Sequence, residues 1–208
     1  MTRIIAGDAR GAALAVPRSG TRPTSDRVRE AMFSTLGSMG VLEGVEALDL
    51  YAGTGALGLE AVSRGAASAT FVERAPKAAA LLRRNAAAVE EAIRRSGSGR
   101  RVRLRVEQGS ALAGAEQAAA GLGLVFIDPP YELPGAEIAQ VLAALAPKLE
   151  PWGIIVLERS ARDPLPELPA GIALEQTRIY GETALHYLER SREAAGGDAV
   201  AQAPDEAR

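Results

Sequence analysis

The chain has 208 residues, 47% hydrophobic and 24% charged, with a formal net charge of −2, the balance of one globular domain with a sizeable core. It has no cysteine and a single histidine, His186, which excludes disulfides, thiol nucleophiles, cysteine-ligated zinc and histidine-cluster metal sites; no metal is expected. No apolar run approaches the ~18 residues of a membrane span, and the opening MTRIIAGDAR lacks the apolar core of a signal peptide, so a cytoplasmic protein is expected.

In chain order, residues 3–7 (RIIAG) and 12–17 (AALAVP) predict two short strands around the turn DARG. Residues 22–40 predict a helix, with Thr24 or Ser25 as N-cap, Asp26 in the first turn, and Val28, Met32, Phe33 and Leu36 on one face. Strands then alternate with helices. VEALDLY is a strand, and the glycine loop AGTG opens a helix. ASATFVE precedes the long helix of residues 75–96, and VRLRVEQG and LGLVFID are strands. Residues 135–149 predict a helix before the strand GIIVLER. Such repetition implies a parallel sheet covered on both faces. IALEQTRIYG and TALHYLER follow without an intervening helix, which predicts an antiparallel edge. Residues 191–208, rich in Ala, Gly, Asp and Glu without apolar period, read as a disordered tail.

Charge is unevenly spread. Residues 1–30 hold six arginines, among them Arg10, Arg22, Arg27 and Arg29, against three acids. A second basic run, RRSGSGRRVRLR, joins a helix to a strand at the amino edge of the sheet and reads as a solvated loop. His186 lies in an alternating strand and reads as structural, and Trp152 as core or rim packing.

GTGALG, residues 53–58, fits the glycine pattern of a nucleotide-binding turn between strand and helix. Alone it admits a dinucleotide, or no ligand. Asp49 lies four residues upstream, where a carboxylate repels pyrophosphate and attracts a cation, which favours S-adenosylmethionine. Glu73 closes the next strand, placed to accept ribose hydroxyls with either cofactor. Ser110, after the third strand, is a candidate adenine contact.

The stretch VFIDPPYE, residues 125–132, ends a strand on Asp128 and follows it with Pro129 and Pro130. The prolines impose an extended elbow that cannot enter a helix. The Asp128 carboxylate and the Pro129 carbonyl can then accept both hydrogens of a nucleobase amino group. This localises the nitrogen lone pair and favours the transition state over the ground state. Tyr131 can stack on the base.

ALDLYAGTGALGLEAVSRGA together with FIDPPY resembles the class I S-adenosylmethionine-dependent methyltransferases that act on exocyclic amines. RIIAGDARGAALAVP, TRPTSDRVREAMFSTL and IYGETALHYL extend the resemblance to the RsmD family, bacterial 16S ribosomal RNA guanine-N2-methyltransferases, across residues 2–190. The resemblance implies an α/β fold, a Rossmann-like, mostly parallel seven-stranded sheet with an antiparallel edge strand. An N-terminal hairpin extension (1–22) would precede the methyltransferase domain (23–190). It implies S-adenosylmethionine as donor and 16S rRNA in small-subunit assembly particles as partner, the protein itself being a monomer. Asp128, Pro129, Pro130 and Tyr131 match the catalytic motif. The implied cofactor contacts are Thr24, Asp49, Tyr51, Ala52, Gly53 and Gly55, then Glu73, Arg74, Ser110, Ala111 and Asp128. Arg10, Arg22 and Tyr131 are the implied substrate contacts. Three rival readings remain open: adenine methylation in DNA or RNA, a nicotinamide-dependent oxidoreductase, and a non-catalytic RNA-binding factor.

Overall fold

The structure, a computed structural model, describes residues 2–17 and 25–191. Thr24 and Arg22 lie outside the described residues, as does the predicted tail beyond Ser191.

The elements are β1 (Thr2–Arg3), β2 (Ala13–Leu14), α1 (Asp26–Met39), β3 (Glu46–Leu50), α2 (Ala56–Ser63), β4 (Ser68–Glu73) and α3 (Pro76–Arg95), then β5 (Arg103–Gln108), α4 (Ala111–Gln117), β6 (Leu122–Ile127), α5 (Gly135–Leu145), β7 (Leu149–Ser160), β8 (Ile172–Tyr180) and β9 (Thr183–Arg190). Local chemistry explains several boundaries. Ser25 caps α1 by accepting from the Val28 amide at 3.3 Å, and Gly40 ends the helix in the left-handed region at φ 74°. Pro76 starts α3, where its missing amide costs nothing.

Seven strands form one sheet in the order β5-β4-β3-β6-β7-β9-β8, while β1 and β2 pair separately as an antiparallel ribbon. β3 to β7 are mutually parallel. The antiparallel strand was expected at the edge. It is β9, which pairs antiparallel with both β7 and β8 and so lies one place in from the edge. The reason is connectivity: β8 leaves a gap beside β7, and the short turn at Gly181 folds β9 back into it.

Alternation along the strands splits the core in two. Ala47, Phe71, Phe126 and Val156 face α1, α2 and α3, whereas Leu48, Val125, Ile127 and Leu157 face α4 and α5. Phe33 of α1 meets Phe126 of β6 with ring centroids 5.7 Å apart. Burying one such ring contributes roughly 1.5–3 kcal/mol.

The N-terminal ribbon is fixed to α2 by polar contacts. Glu60, fully buried, accepts from the amides of Ile5 (2.8 Å) and Ala6 (3.0 Å) and from Arg64 Nε (2.6 Å). Ser63 Oγ accepts from the Ala9 amide and donates to the Ala6 carbonyl. Gly7 has φ 81°, and a Cβ there would lie 1.9 Å from the Ser63 carbonyl oxygen, so only glycine fits this approach. Arg29, 1% exposed, donates to the Arg3 carbonyl and to Asp26 Oδ1, which makes it part of the local fold.

The basic run 94–105 is not uniformly solvated. Arg94 and Arg95 pair with Glu91 on the surface, but Arg100 reaches inward. It donates to Asp8 Oδ2 (2.9 Å) and to the carbonyls of Val62 and Ala66, tying the ribbon turn to the end of α2. Its planar fork satisfies three acceptors on two segments at once.

Candidate active site

In a sheet of this kind the ligand crevice lies outside the carboxyl ends of the strands, where the connections diverge to opposite faces. That point is the β3/β6 boundary, and Asp49 and Asp128 stand at it.

Asp49 is 2% exposed and its Oδ2 accepts from the Gly58 amide at 2.9 Å, inside the first turn of α2. Burial pushes its pKa up to about 7; the Gly58 hydrogen bond opposes this, and the nearby charges of Asp128 and Glu73 add to it. Asp49 therefore feels the acids at the ends of both neighbouring strands. The glycines serve close packing. Gly53 and Gly55 have φ 54° and 80°, and a Cβ on Gly55 would meet Leu82 Cδ1 at 2.2 Å. A Cβ on Gly58 would meet Phe71 Cε1 at 2.5 Å and Asp49 Oδ2 at 3.1 Å.

Glu73 ends β4 and bridges two turns, accepting from the Gly53 amide (2.9 Å) and the Ala75 amide (2.7 Å). Each oxygen keeps a lone pair for a hydroxyl. Tyr51, half-buried beside the loop, has φ 60° and is the one non-glycine residue in the left-handed region among the described residues. Such strain persists where packing over-determines it. Ala52 is buried, its amide donating to the Val72 carbonyl. Asn85 of α3 joins this loop to the ribbon, donating to the carbonyls of Thr54 and Ala15 and accepting from the Ala15 amide.

Ser110 caps α4, its Oγ accepting from the Ala113 amide at 3.2 Å, so its hydroxyl is engaged in the fold. Ala111 beside it is buried, and Arg74 is exposed.

Asp128 follows the last residue of β6, with Pro129 buried and Pro130 and Tyr131 exposed. The Pro130 carbonyl accepts from the Leu133 amide, closing a turn. Arg159, 6% exposed, donates through NH1 to the Leu133 carbonyl at 3.2 Å and through NH2 to Asp163 at 3.0 Å, holding the turn against the end of β7. A cavity of about 490 Å³ opens beside it, lined by Ser25, Val28, Tyr131, Glu158, Tyr180 and Thr183 among others. The Tyr180–Gly181 turn thus has a place in the site. Asp128 and the glycine loop are outside this lining.

Sequence reasoning missed Glu158 and Arg159. The signal was present: GIIVLER carries an acid, Glu158, near the end of its strand, as Asp49, Glu73 and Asp128 stand near the ends of theirs. His186 is buried, and its Nδ1 lies 2.8 Å from Thr177 Oγ1; burial and then the Arg159 charge hold it below the usual imidazole range, consistent with a structural role. Trp152 is half exposed and covers Gly123 at the rim. Arg10 and Arg27 are exposed and, with Arg3, line a groove of about 450 Å³ between the ribbon and α1.

The acids predict a pH dependence. Because the folded pKa of Asp49 is raised, the folded chain holds a proton that the unfolded chain releases from about 3.8 upward. Its contribution to stability is therefore present at low pH and is lost as pH rises towards 7. A cationic ligand favours the ionised form. S-adenosylhomocysteine, which keeps the ammonium, should bind more tightly as pH rises from 5.5 to 7, by up to about tenfold per unit, and level off above. Calorimetric titration checks this; in Asp49→Asn the dependence should vanish.

The donor set suits a phosphate-free nucleoside with a positive tail: three acids stand at the strand ends that border the crevice. A pyrophosphate would meet carboxylates instead. Among the described residues, no group of three or more His, Cys, Asp or Glu is placed to share a metal ion, and no helix is long and apolar enough to cross a membrane.

Residues 2–189 match the family described as Conserved hypothetical protein 95. The chain is 36% identical over 189 residues to ribosomal RNA small subunit methyltransferase D of Escherichia coli strain K12, covering 90% of this chain and 89% of that protein. The solved structure of yhhF from Escherichia coli is 34% identical, with a TM-score of 0.74 over 91% of this chain and 97% of that one. The rRNA methyltransferase aviRa of Streptomyces viridochromogenes shares the fold, with a TM-score of 0.66 at 16% identity, over 88% of this chain and 91% of its own.

Proposed function

The chain belongs to the family described as Conserved hypothetical protein 95, the RsmD family, and from that premise we propose that it transfers a methyl group from S-adenosylmethionine to the exocyclic 2-amino group of a guanine in 16S rRNA. The observation that carries this reading is the position of Asp128. It stands at the carboxyl end of the sheet, where its charge raises the pKa of Asp49 on one neighbouring strand, and the Asp-Pro-Pro elbow leads directly to Tyr131 in the cavity lining.

S-adenosylmethionine supplies, when bound, a methyl group already activated by its sulfonium. Asp49 and Glu73 would hold it, the first by charge and the second by its remaining lone pairs. Gly53 and Gly55 leave room for its backbone, with Tyr51, Ala52, Arg74, Ser110 and Ala111 around it. Asp128 and the Pro129 carbonyl accept the two amino hydrogens of the base. Those bonds strengthen as the nitrogen becomes positive, and Asp128 can take the proton it sheds. Tyr131, exposed at the cavity mouth, stacks on the ring and fixes the angle of approach. The base must leave its stack, which costs a few kcal/mol and favours a nucleotide in a loop.

Arg10, Arg3 and Arg27 border the groove on the other side of the α1 N-terminus and supply phosphate contacts, with Arg22 a further contact outside the described residues. The partner is 16S rRNA in assembling small subunits, met in the cytoplasm by a monomer whose ribbon and methyltransferase domain divide near residue 22.

Incubating the protein and labelled S-adenosylmethionine with small-subunit particles, free 16S rRNA and DNA tests the reading. Label is expected in N2-methylguanosine of the RNA. Label confined to adenine of DNA overturns it.

A further inference from the structure

Glu158 has no part in the reading above, yet it is 4% exposed and lines the cavity that holds Tyr131. Its position follows from strand register. Ile127 of β6 pairs with Leu157 of β7, the last pair between these parallel strands. Asp128 and Glu158 are the next residue on each, at strands about 4.8 Å apart. Both fall on the same face: Phe126 and Val156, two residues earlier, pack in the cluster that contains Val28, Met32 and Phe33 of α1. Ser25 and Val28 of α1 line the same cavity as Glu158, which fixes the side to which it points. Two acidic residues therefore stand side by side on neighbouring strands, Glu158 in the lining of the cavity and Asp128 outside it.

We infer that Glu158 determines base specificity by accepting the N1–H of the target guanine while Asp128 holds the adjacent 2-amino group. This rests on the methyltransferase reading. Guanine presents two neighbouring donors on its Watson–Crick edge, N1–H and N2–H. Adenine presents an amino donor beside an N1 acceptor. A carboxylate facing N1 gains a charge-assisted hydrogen bond from guanine and meets a lone pair on adenine. Discrimination is strong, because the same oxygen that accepts from guanine N1–H faces a second acceptor on adenine. The same pair of acids explains how an Asp-Pro-Pro-Tyr elbow, which could serve either amine, is committed to one. Glu158 is thus a specificity-determining residue, and Asp128 carries the chemistry.

The test is a 16S rRNA ligated from synthetic segments so that its mapped target carries guanosine, 2,6-diaminopurine or 2-aminopurine riboside. All three keep the 2-amino group, and the two analogues replace N1–H by an acceptor. Wild-type protein should methylate guanosine with kcat/KM at least about 100-fold above either analogue. In Glu158→Gln, whose amide can donate to N1, that ratio should fall at least tenfold for both analogues. S-adenosylhomocysteine affinity, read alongside, should stay at the wild-type value. Glu158→Asp, which keeps the charge, should retain the preference at reduced kcat/KM. If wild-type protein methylates guanosine and Glu158→Gln leaves the ratio unchanged, the inference fails and the methyltransferase reading stands. If wild-type protein methylates no guanosine, both fall.

Discussion

Asp128→Asn should lower the single-turnover rate of methyl transfer to 16S rRNA by about 10²–10³-fold, the scale of losing one preorganised charged partner of a transition state. Asparagine keeps the size and one acceptor oxygen but lacks the charge. It cannot stabilise the developing positive nitrogen or take its proton. RNA affinity, set by phosphate contacts elsewhere, should change little. Binding of S-adenosylhomocysteine separates chemistry from cofactor capture. Asp128 also raises the pKa of Asp49, so its neutralisation should move the pH midpoint of cofactor binding downward. A variant that transfers methyl groups at the wild-type rate would remove Asp128 from the reaction.

Glu60→Ala should cost about 3–5 kcal/mol of unfolding free energy, the range for breaking a buried charge network by deleting one partner. Its carboxylate is the acceptor for two ribbon amides and for Arg64, and it offsets the buried Arg29 guanidinium. Alanine strands all of these where water does not reach. Glu60→Gln, which retains one acceptor oxygen, should cost less. Urea unfolding of the whole chain reads the difference. RNA affinity should fall as well, since Arg3 and Arg10 lose their mounting, while S-adenosylhomocysteine affinity holds. An unchanged urea midpoint would show that the ribbon stays in place by other means.

Residues with a strong local signal were legible in the sequence. β3, β4 and β6 each end on or next to an acid where a glycine loop, a turn or a proline pair stops the strand. The alternation of strands and helices gave the parallel sheet. α4 escaped notice because ALAGAEQ is seven residues long and four of them are Ala or Gly, with too little contrast between its faces to reveal a period. β7 begins at Leu149, four residues before the predicted start, because Pro151 and Gly153 disguise its irregular pairing with β6. The polar bolts were hidden for a different reason. Glu60, Asn85 and Arg100 act across 31 to 92 residues of chain, and nothing local marks a charged side chain as buried. Glu60 did leave a trace: it is the one charged residue of α2, flanked by Leu59 and Ala61.

The seating of β9 between β7 and β8 bears on how the protein emerges from the ribosome. β8 is made before the strand that must separate it from β7. A nascent chain that has reached Gly181 therefore carries β7 with one edge open and β8 with no partner strand. Glu158 and Arg159 gain their cross-strand neighbours, Leu185 and Ala184, only after nearly the whole sheet has been translated. Synthesis that stops short of Thr183 therefore yields a chain in which the β7 edge is open and the cavity beside Tyr131 lacks part of its wall.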